Sequence, residues 1–204
     1  MELEPVRAQS RAAGKRELTR AQNRAAILDA ARRVFAERGY SATTVRDIIR
    51  ATTLASGTFY NYFTSKEEIF QAIRDESALR LRPRLRAIRA DAKTLDDFIA
   101  GTFQAYFAFV AEEQTHFHQV SPHGALRVRV DTPEILAGFE ELRQDITQAV
   151  SRRIVPSVDV DFLMAAMIGI AFEVAVEMVK REPADAVAAA RFATGLVLGG
   201  FGKA

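Results

Sequence analysis

Residues 56–68 read Ser56-Gly57-Thr58-Phe59-Tyr60-Asn61-Tyr62-Phe63-Thr64-Ser65-Lys66-Glu67-Glu68, which gathers four aromatics, several small hydroxyl residues and a lysine. On a helical wheel Phe59 and Phe63 fall about 40° apart and form one apolar stripe. Gly57, Thr58 and Asn61 fall opposite, on a small polar face, with Tyr60 and Tyr62 on the two shoulders. A helix of this cross-section suits a DNA major groove, where small residues let the backbone approach and hydroxyls and amides read base edges. The shoulder phenols have the reach to bond flanking phosphates. Lys66, in the first turn of the next helix, opposes that helix's dipole, and a phosphate there would reverse the sign.

The surroundings supply the rest of a helix–turn–helix. Ala26, Ile27, Ala30, Ala31, Val34 and Phe35 recur at three- and four-residue spacing, predicting a helix over about 20–38. Thr19 and Gln22 form an expected capping box at its start, and Gly39 sits where a C′ residue belongs. Thr43 precedes a second helix of about two turns with Val45, Ile48 and Ile49 inward. Ser65 and Glu68 cap a long helix beginning at Lys66, which Pro83 is expected to kink or end.

Charge follows the same division. Residues 1–65 hold eleven Arg or Lys against six Asp or Glu, although the whole chain of 204 residues is only +2. A basic front and a mildly acidic remainder point the front toward a polyanion. Residues 1–18, with Arg7, Arg11, Lys15 and Arg16, lack periodicity and are expected to form a flexible basic arm able to reach a minor groove. Cysteine is absent, which excludes disulfide and thiolate chemistry. The longest uncharged apolar run, Phe162 to Phe172, is too short to span a bilayer, so a cytoplasmic location is expected.

Residues 20–70 resemble the N-terminal domain of the tetracycline-repressor (TetR) family of bacterial transcription regulators. The resemblance is carried by Ile27-Leu28-Asp29-Ala30-Ala31, Phe35 to Tyr40, Thr43 to Ile48, Gly57 to Phe63 and Lys66-Glu67. It implies DNA contacts at Thr44, Arg46, Thr58, Tyr60 and Lys66, with base reading near Ser56, Gly57 and Asn61; Tyr62 joins them from the wheel. Thr53 and Ala55 depart from the family's usual glycine in the turn and serine cap. Thr53 could instead cap an earlier-starting helix.

The rest of the chain reads as helices only, so the expected fold is all-α, about nine helices. The expected division is 1–18 arm, 19–65 DNA-binding domain and 66–204 effector-binding and dimerisation domain. Thr94, Thr132 before Pro133, and Asp159 or Asp161 start helices, and Pro183 starts the last. The two final helices, about 159–203, are apolar on more than one face. By resemblance they form a homodimer interface, and a palindromic operator calls for such a two-fold. Phe103, Phe107, Phe117, His116, Phe139, Met167 and Phe172 are candidates to line an apolar ligand cavity.

The stretch 74–82 is faintly similar to the family's fatty-acid-synthesis repressors, which respond to acyl-CoA. On that reading Arg80, Arg82, Arg84, Arg86 and Arg89 would meet an acidic headgroup. His116, His118 and His123 lie near Glu112 and Glu113, a donor set that suits zinc only if a helix ends there. No cofactor is expected. An enzyme with a helical pocket is the alternative class, but no P-loop, G-x-S-x-G, H-E-x-x-H or G-x-G-x-x-G motif occurs. The combined expectation is a dimeric repressor of a palindromic operator, released by a small, largely apolar ligand.

Overall fold

The computed structural model describes residues 4–113 and 132–201. Among these residues there are eight α-helices and no strand, so the expected all-α class stands and the count is one below the approximate nine. His116, Phe117, His118 and His123 lie outside the described residues. The chain divides into two compact units, one ending at Ile73 and one starting at Arg74.

The first unit contains α1 (Glu4–Arg38), α2 (Val45–Arg50), α3 (Ser56–Tyr60) and the start of α4 (Lys66–Asp91). α1 differs from the expected arm and capped start, because it is one helix of 35 residues. Thr19 does not cap; its hydroxyl donates to the Lys15 carbonyl at 2.9 Å, as an interior helical threonine does. Residues 6–18 are dominated by Ala, Arg, Gln, Glu, Lys and Leu. These are good helix formers, and Gly14 opposes them by only about 1 kcal/mol. They carry no apolar stripe, so periodicity could not reveal the helix. The helix stops as expected at Gly39, whose φ of 76° suits glycine and whose N–H reaches the Phe35 carbonyl at 2.9 Å.

Ile27, Leu28, Ala31, Val34 and Phe35 of α1 are buried with Ile48, Phe59, Phe63, Ile69 and Phe70. Ala26, expected among them, is exposed. Phe35, Tyr40 and Phe70 form a ring cluster with centroids 5.0–6.0 Å apart. That cluster draws the first two turns of α4 into this unit and places the boundary after Ile73 rather than at residue 65.

The second unit holds the remainder of α4 with α5 (Leu95–Glu112), α6 (Pro133–Ser151), α7 (Val160–Val179) and α8 (Ala186–Phe201). The starts follow the sequence: Thr94 closes a capping box with Asp97, Thr132 caps ahead of Pro133, and Asp159 accepts from the Phe162 N–H. α8 begins later than expected, at Ala186, with the Asp185 carboxylate accepting from the Ala188 N–H at 2.8 Å. α5 packs most extensively against α8. Phe98, Phe103, Phe107, Ile146, Met167, Ala175 and Ala193 fill the core. α7, 20 residues long with mean hydropathy 2.0 over its most apolar 18 residues, is long and apolar enough by length and composition to cross a membrane. The uncharged run alone did not indicate this, yet Leu163, Met167, Ala175, Met178 and Val179 of α7 belong to the core cluster.

α4 runs through Pro83, where a kink or an end was expected. An interior proline costs about 3 kcal/mol, and fastenings on both sides offset it. Arg82 donates two bonds to Glu141, at 2.6 and 3.2 Å, and Arg89 one to Asp145 at 2.7 Å. Gly101 allows α5 to lie close, since a Cβ there would stand 2.7 Å from Ile88 Cγ2.

The Arg89 side chain is only 3% exposed. Asp145→Ala strands this buried guanidinium and is expected to lower the unfolding free energy by about 3 kcal/mol in urea denaturation. The double variant Arg89→Met/Asp145→Leu is expected to recover most of that loss.

Candidate functional site

α3 has five residues and a one-sided anchor. Phe59 is fully buried and Phe63, just past the helix, nearly so, with the Arg24 guanidinium 5.6 Å from the Phe63 ring centroid. Ser56, Gly57 and Asn61 are exposed, Thr58 is half-buried, and Tyr60 is 52% exposed. The wheel therefore sorts these side chains correctly, although helical structure stops at Tyr60 with Asn61 as C-cap. Tyr62 is half-buried, and its hydroxyl accepts from Asn23 at 3.2 Å.

The turn before α3 manages without the glycine and serine that the family resemblance would supply. Ala55 occupies the N-cap in an extended conformation with no side-chain bond, so Thr53 does not start the helix early. Thr53 has no positive φ; among the described non-glycine residues only Arg153 does. Thr52 closes the turn, its hydroxyl donating to the Ile49 carbonyl at 2.8 Å and accepting from the Leu54 N–H at 3.3 Å. This role was missed by the sequence reading, which weighed only Thr53 in this turn.

Thr44 is the N-cap of α2. Its hydroxyl accepts from the Asp47 N–H at 3.2 Å and donates to the Asp47 carboxylate at 2.6 Å. Those bonds hold the Asp47 carboxyl below its usual range, with Arg38 at 3.1 Å adding to the effect. Thr44 and Arg46 are both exposed.

Lys66 stands differently from the expectation. Its ammonium donates to the carbonyls of Tyr40 at 3.0 Å and Thr43 at 3.1 Å, with Ser41 at 3.5 Å, and lies 4.5 Å from the Tyr40 ring centroid. Its protons are thus committed to the α1–α2 loop rather than offered to a phosphate. The Tyr40 hydroxyl donates to Glu67 at 3.0 Å, and burial together with that bond pushes its pKa up to about 12. The expected Ser65 cap forms from Ser65 to the Glu68 N–H, while the Glu68 carboxylate reaches back to the Thr64 N–H at 2.7 Å.

Because α1 extends as a helix, it brings Lys15, Arg16, Thr19 and Arg20 beside Asn61 and Tyr62, and the six line one surface groove. Lys15 and Arg16 thus stand on a helix wall rather than on a loose arm.

In the second unit, α7 and α8 each present a second apolar face outward. Phe162 is 76%, Val187 68%, Phe192 62% and Leu196 55% exposed. Gly169, Gly195, Gly199 and Gly200 have open space where a Cβ would stand.

The same unit encloses a cavity of about 170 Å³ among α4, α5, α6 and α7. Four of the seven candidate residues line it: Phe103, Phe139, Met167 and Phe172. Phe107 does not, being fully buried in the core. His116 and Phe117 lie outside the described residues. Arg74, Ser77, Tyr106 and Phe109 also line the cavity and were missed, since aromatic spacing alone does not show which face of α4 or α5 turns inward.

Residues 27–73 match the family model of bacterial regulatory proteins, tetR family. A 59-residue segment is 42% identical to the HTH-type transcriptional repressor AcnR of Corynebacterium efficiens, over 29% of this chain and 31% of that protein. The chain thus spans about a third of that relative's length. The HTH-type transcriptional repressor DhaR of a Mycobacterium species is 29% identical over 177 residues, 78% of this chain and 85% of that protein. Among solved structures, the FadR regulator of Bacillus subtilis in complex with stearoyl-CoA is similar with TM-score 0.69 and 26% identity, covering 83% and 95% of the two chains. The fatty acid degradation regulator FadR of Bacillus halodurans has the same fold at TM-score 0.73 and 22% identity, covering 86% of this chain and 94% of that one. The buried Phe59–Phe63 anchor and the exposed small face of α3 lie inside the segment, residues 27–73, that matches the family model.

Proposed function

We propose that the protein is a homodimeric transcriptional repressor that reads a palindromic operator with α3 and is released when a small, largely apolar ligand fills the cavity of the second unit. The observation that carries the reading is the one-sided burial of α3, which leaves Ser56, Gly57, Thr58, Tyr60 and Asn61 available to a major groove. Thr44 and Arg46 flank it as phosphate contacts, and the protein works in the cytoplasm, where its DNA is. Lys66 serves the interface by holding the α1–α2 loop that carries Thr44. The groove at Lys15, Arg16 and Arg20 adds phosphate contacts on the Tyr62 side.

The dimer forms through the outward faces of α7 and α8. Four large apolar side chains exposed on two adjacent helices form a patch that water opposes and a second copy covers. α4 contributes residues to both units and is the covalent route by which ligand occupancy reaches the DNA-binding unit.

A second reading, an acyl-CoA effector, is favoured by the stearoyl-CoA held by the Bacillus subtilis neighbour. It loses support from the arginines meant to serve it. Arg80, Arg82, Arg84 and Arg89 are paired with Glu113, Glu141, Glu112 and Asp145, which occupies four of the five.

Operator affinity, measured by fluorescence anisotropy on the DNA upstream of its own gene, tests the interface. Tyr60→Phe is expected to weaken binding about fivefold with the melting temperature unchanged. Lys66→Ala is expected to weaken binding and also lower the melting temperature. If neither variant weakens binding, the interface is misplaced. The triple variant Lys15→Ala/Arg16→Ala/Arg20→Ala is expected to reduce the slope of log affinity against log salt by about 2–3 while sparing sequence preference. Phe192→Glu is expected to give a folded monomer in sedimentation equilibrium, with operator affinity lost.

A further inference from the structure

Tyr106 lies on the cavity wall and is packed edge-on to Phe107 and Phe172, with ring centroids 5.4 and 6.3 Å away. Its hydroxyl makes no hydrogen bond to a described residue, in a wall that is otherwise mostly apolar. Tyrosine hydroxyls buried in proteins ordinarily find a partner. Burial pushes the phenol's pKa up, so it stays a donor across the physiological range.

Two of the three lining arginines are paired with carboxylates. Arg82 lies against Glu141 and Arg89 against Asp145, both lining guanidiniums at hydrogen-bond distance from a carboxylate. The third, Arg74, is half-buried and feels Tyr106 as well as Asp75. Glu134 also borders the space. An anionic ligand would have to compete with carboxylates for Arg82 and Arg89 and lie near Glu134, whereas a neutral acceptor meets a donor with no hydrogen bond to a described residue. The volume sets the size: about 170 Å³ is close to the ~150 Å³ engineered cavity known to take up benzene.

We infer that the cavity binds a compact neutral molecule, of roughly one aromatic ring with a short substituent, whose single carbonyl or ether oxygen accepts a hydrogen bond from Tyr106. This deepens the effector reading given above and rests on it for regulation, though not for binding. A stearoyl chain with its anionic headgroup is a poor match on both size and charge.

Three probes of similar size separate the chemistry: acetophenone, benzoate and ethylbenzene, each titrated into the full chain without DNA and followed by protein-observed NMR. Acetophenone is expected to bind the wild type, with benzoate more than tenfold weaker. Tyr106→Phe is expected to weaken acetophenone about fivefold to tenfold and leave ethylbenzene unchanged. Ala171→Trp, which fills the space from α7, is expected to abolish all binding while the far-ultraviolet spectrum stays helical. The inference is overturned if benzoate or stearoyl-CoA binds more tightly than acetophenone. It is equally overturned if Tyr106→Phe has no effect, or if acetophenone still binds Ala171→Trp. Acetophenone binding that leaves operator affinity unchanged supports the ligand class and counts against ligand-driven release alone.

Discussion

Burial of Phe59 and Phe63 is the constraint on which the rest of the first unit depends. A helix of five residues has no independent stability in water, because nucleation costs more than its few hydrogen bonds return. α3 exists because Phe59 and, just past the helix, Phe63 are buried in the core with residues of α1, α2 and the start of α4. The same insertion determines which residues face away, so the anchor and the exposed small face are two consequences of one packing event. Lys66 reinforces the arrangement from the other side by gathering the carbonyls of Tyr40, Ser41 and Thr43 around its ammonium.

The second unit follows a different rule, in which charge is neutralised locally rather than displayed. α4 is rich in arginine, which by sequence suggests an anion site. Packed against α5 and α6, most of those arginines meet carboxylates, and the cavity between the helices is left mostly apolar, with a phenol that makes no hydrogen bond to a described residue. A buried guanidinium such as Arg89 is held by its partner because desolvation would otherwise dominate. The fastened α4 is also what lets Pro83 remain inside a continuous helix.

The helix–turn–helix was legible because its signals are local. Gly39 needed only the backbone freedom of glycine and the Phe59–Phe63 spacing only a helical period, whereas the equally local Thr44–Asp47 cap was missed because Thr43 was expected to precede the helix. The N-terminal stretch was misread for a related reason: apolar periodicity detects a buried face, and residues 4–18 form a helix through propensity alone. In the cavity, Phe103, Phe139, Met167 and Phe172 were recoverable as inward aromatics and methionine. Phe107 was not separable from them, because neighbouring turns of α5 face the cavity and the core alike.

By itself the sequence determined the helices, most of their caps, and which side of α3 is apolar, since each depends on residues within about one turn. Only the tertiary structure decided that Lys66 spends its protons on loop carbonyls, that four of α4's arginines are paired with carboxylates, and that the Tyr106 hydroxyl, with no hydrogen bond to a described residue, stands beside a cavity. These outcomes depend on groups 23 to 59 residues apart in the chain, such as Lys66 with Thr43 and Arg82 with Glu141. No local pattern encodes which distant carboxylate or carbonyl a long flexible cation will meet.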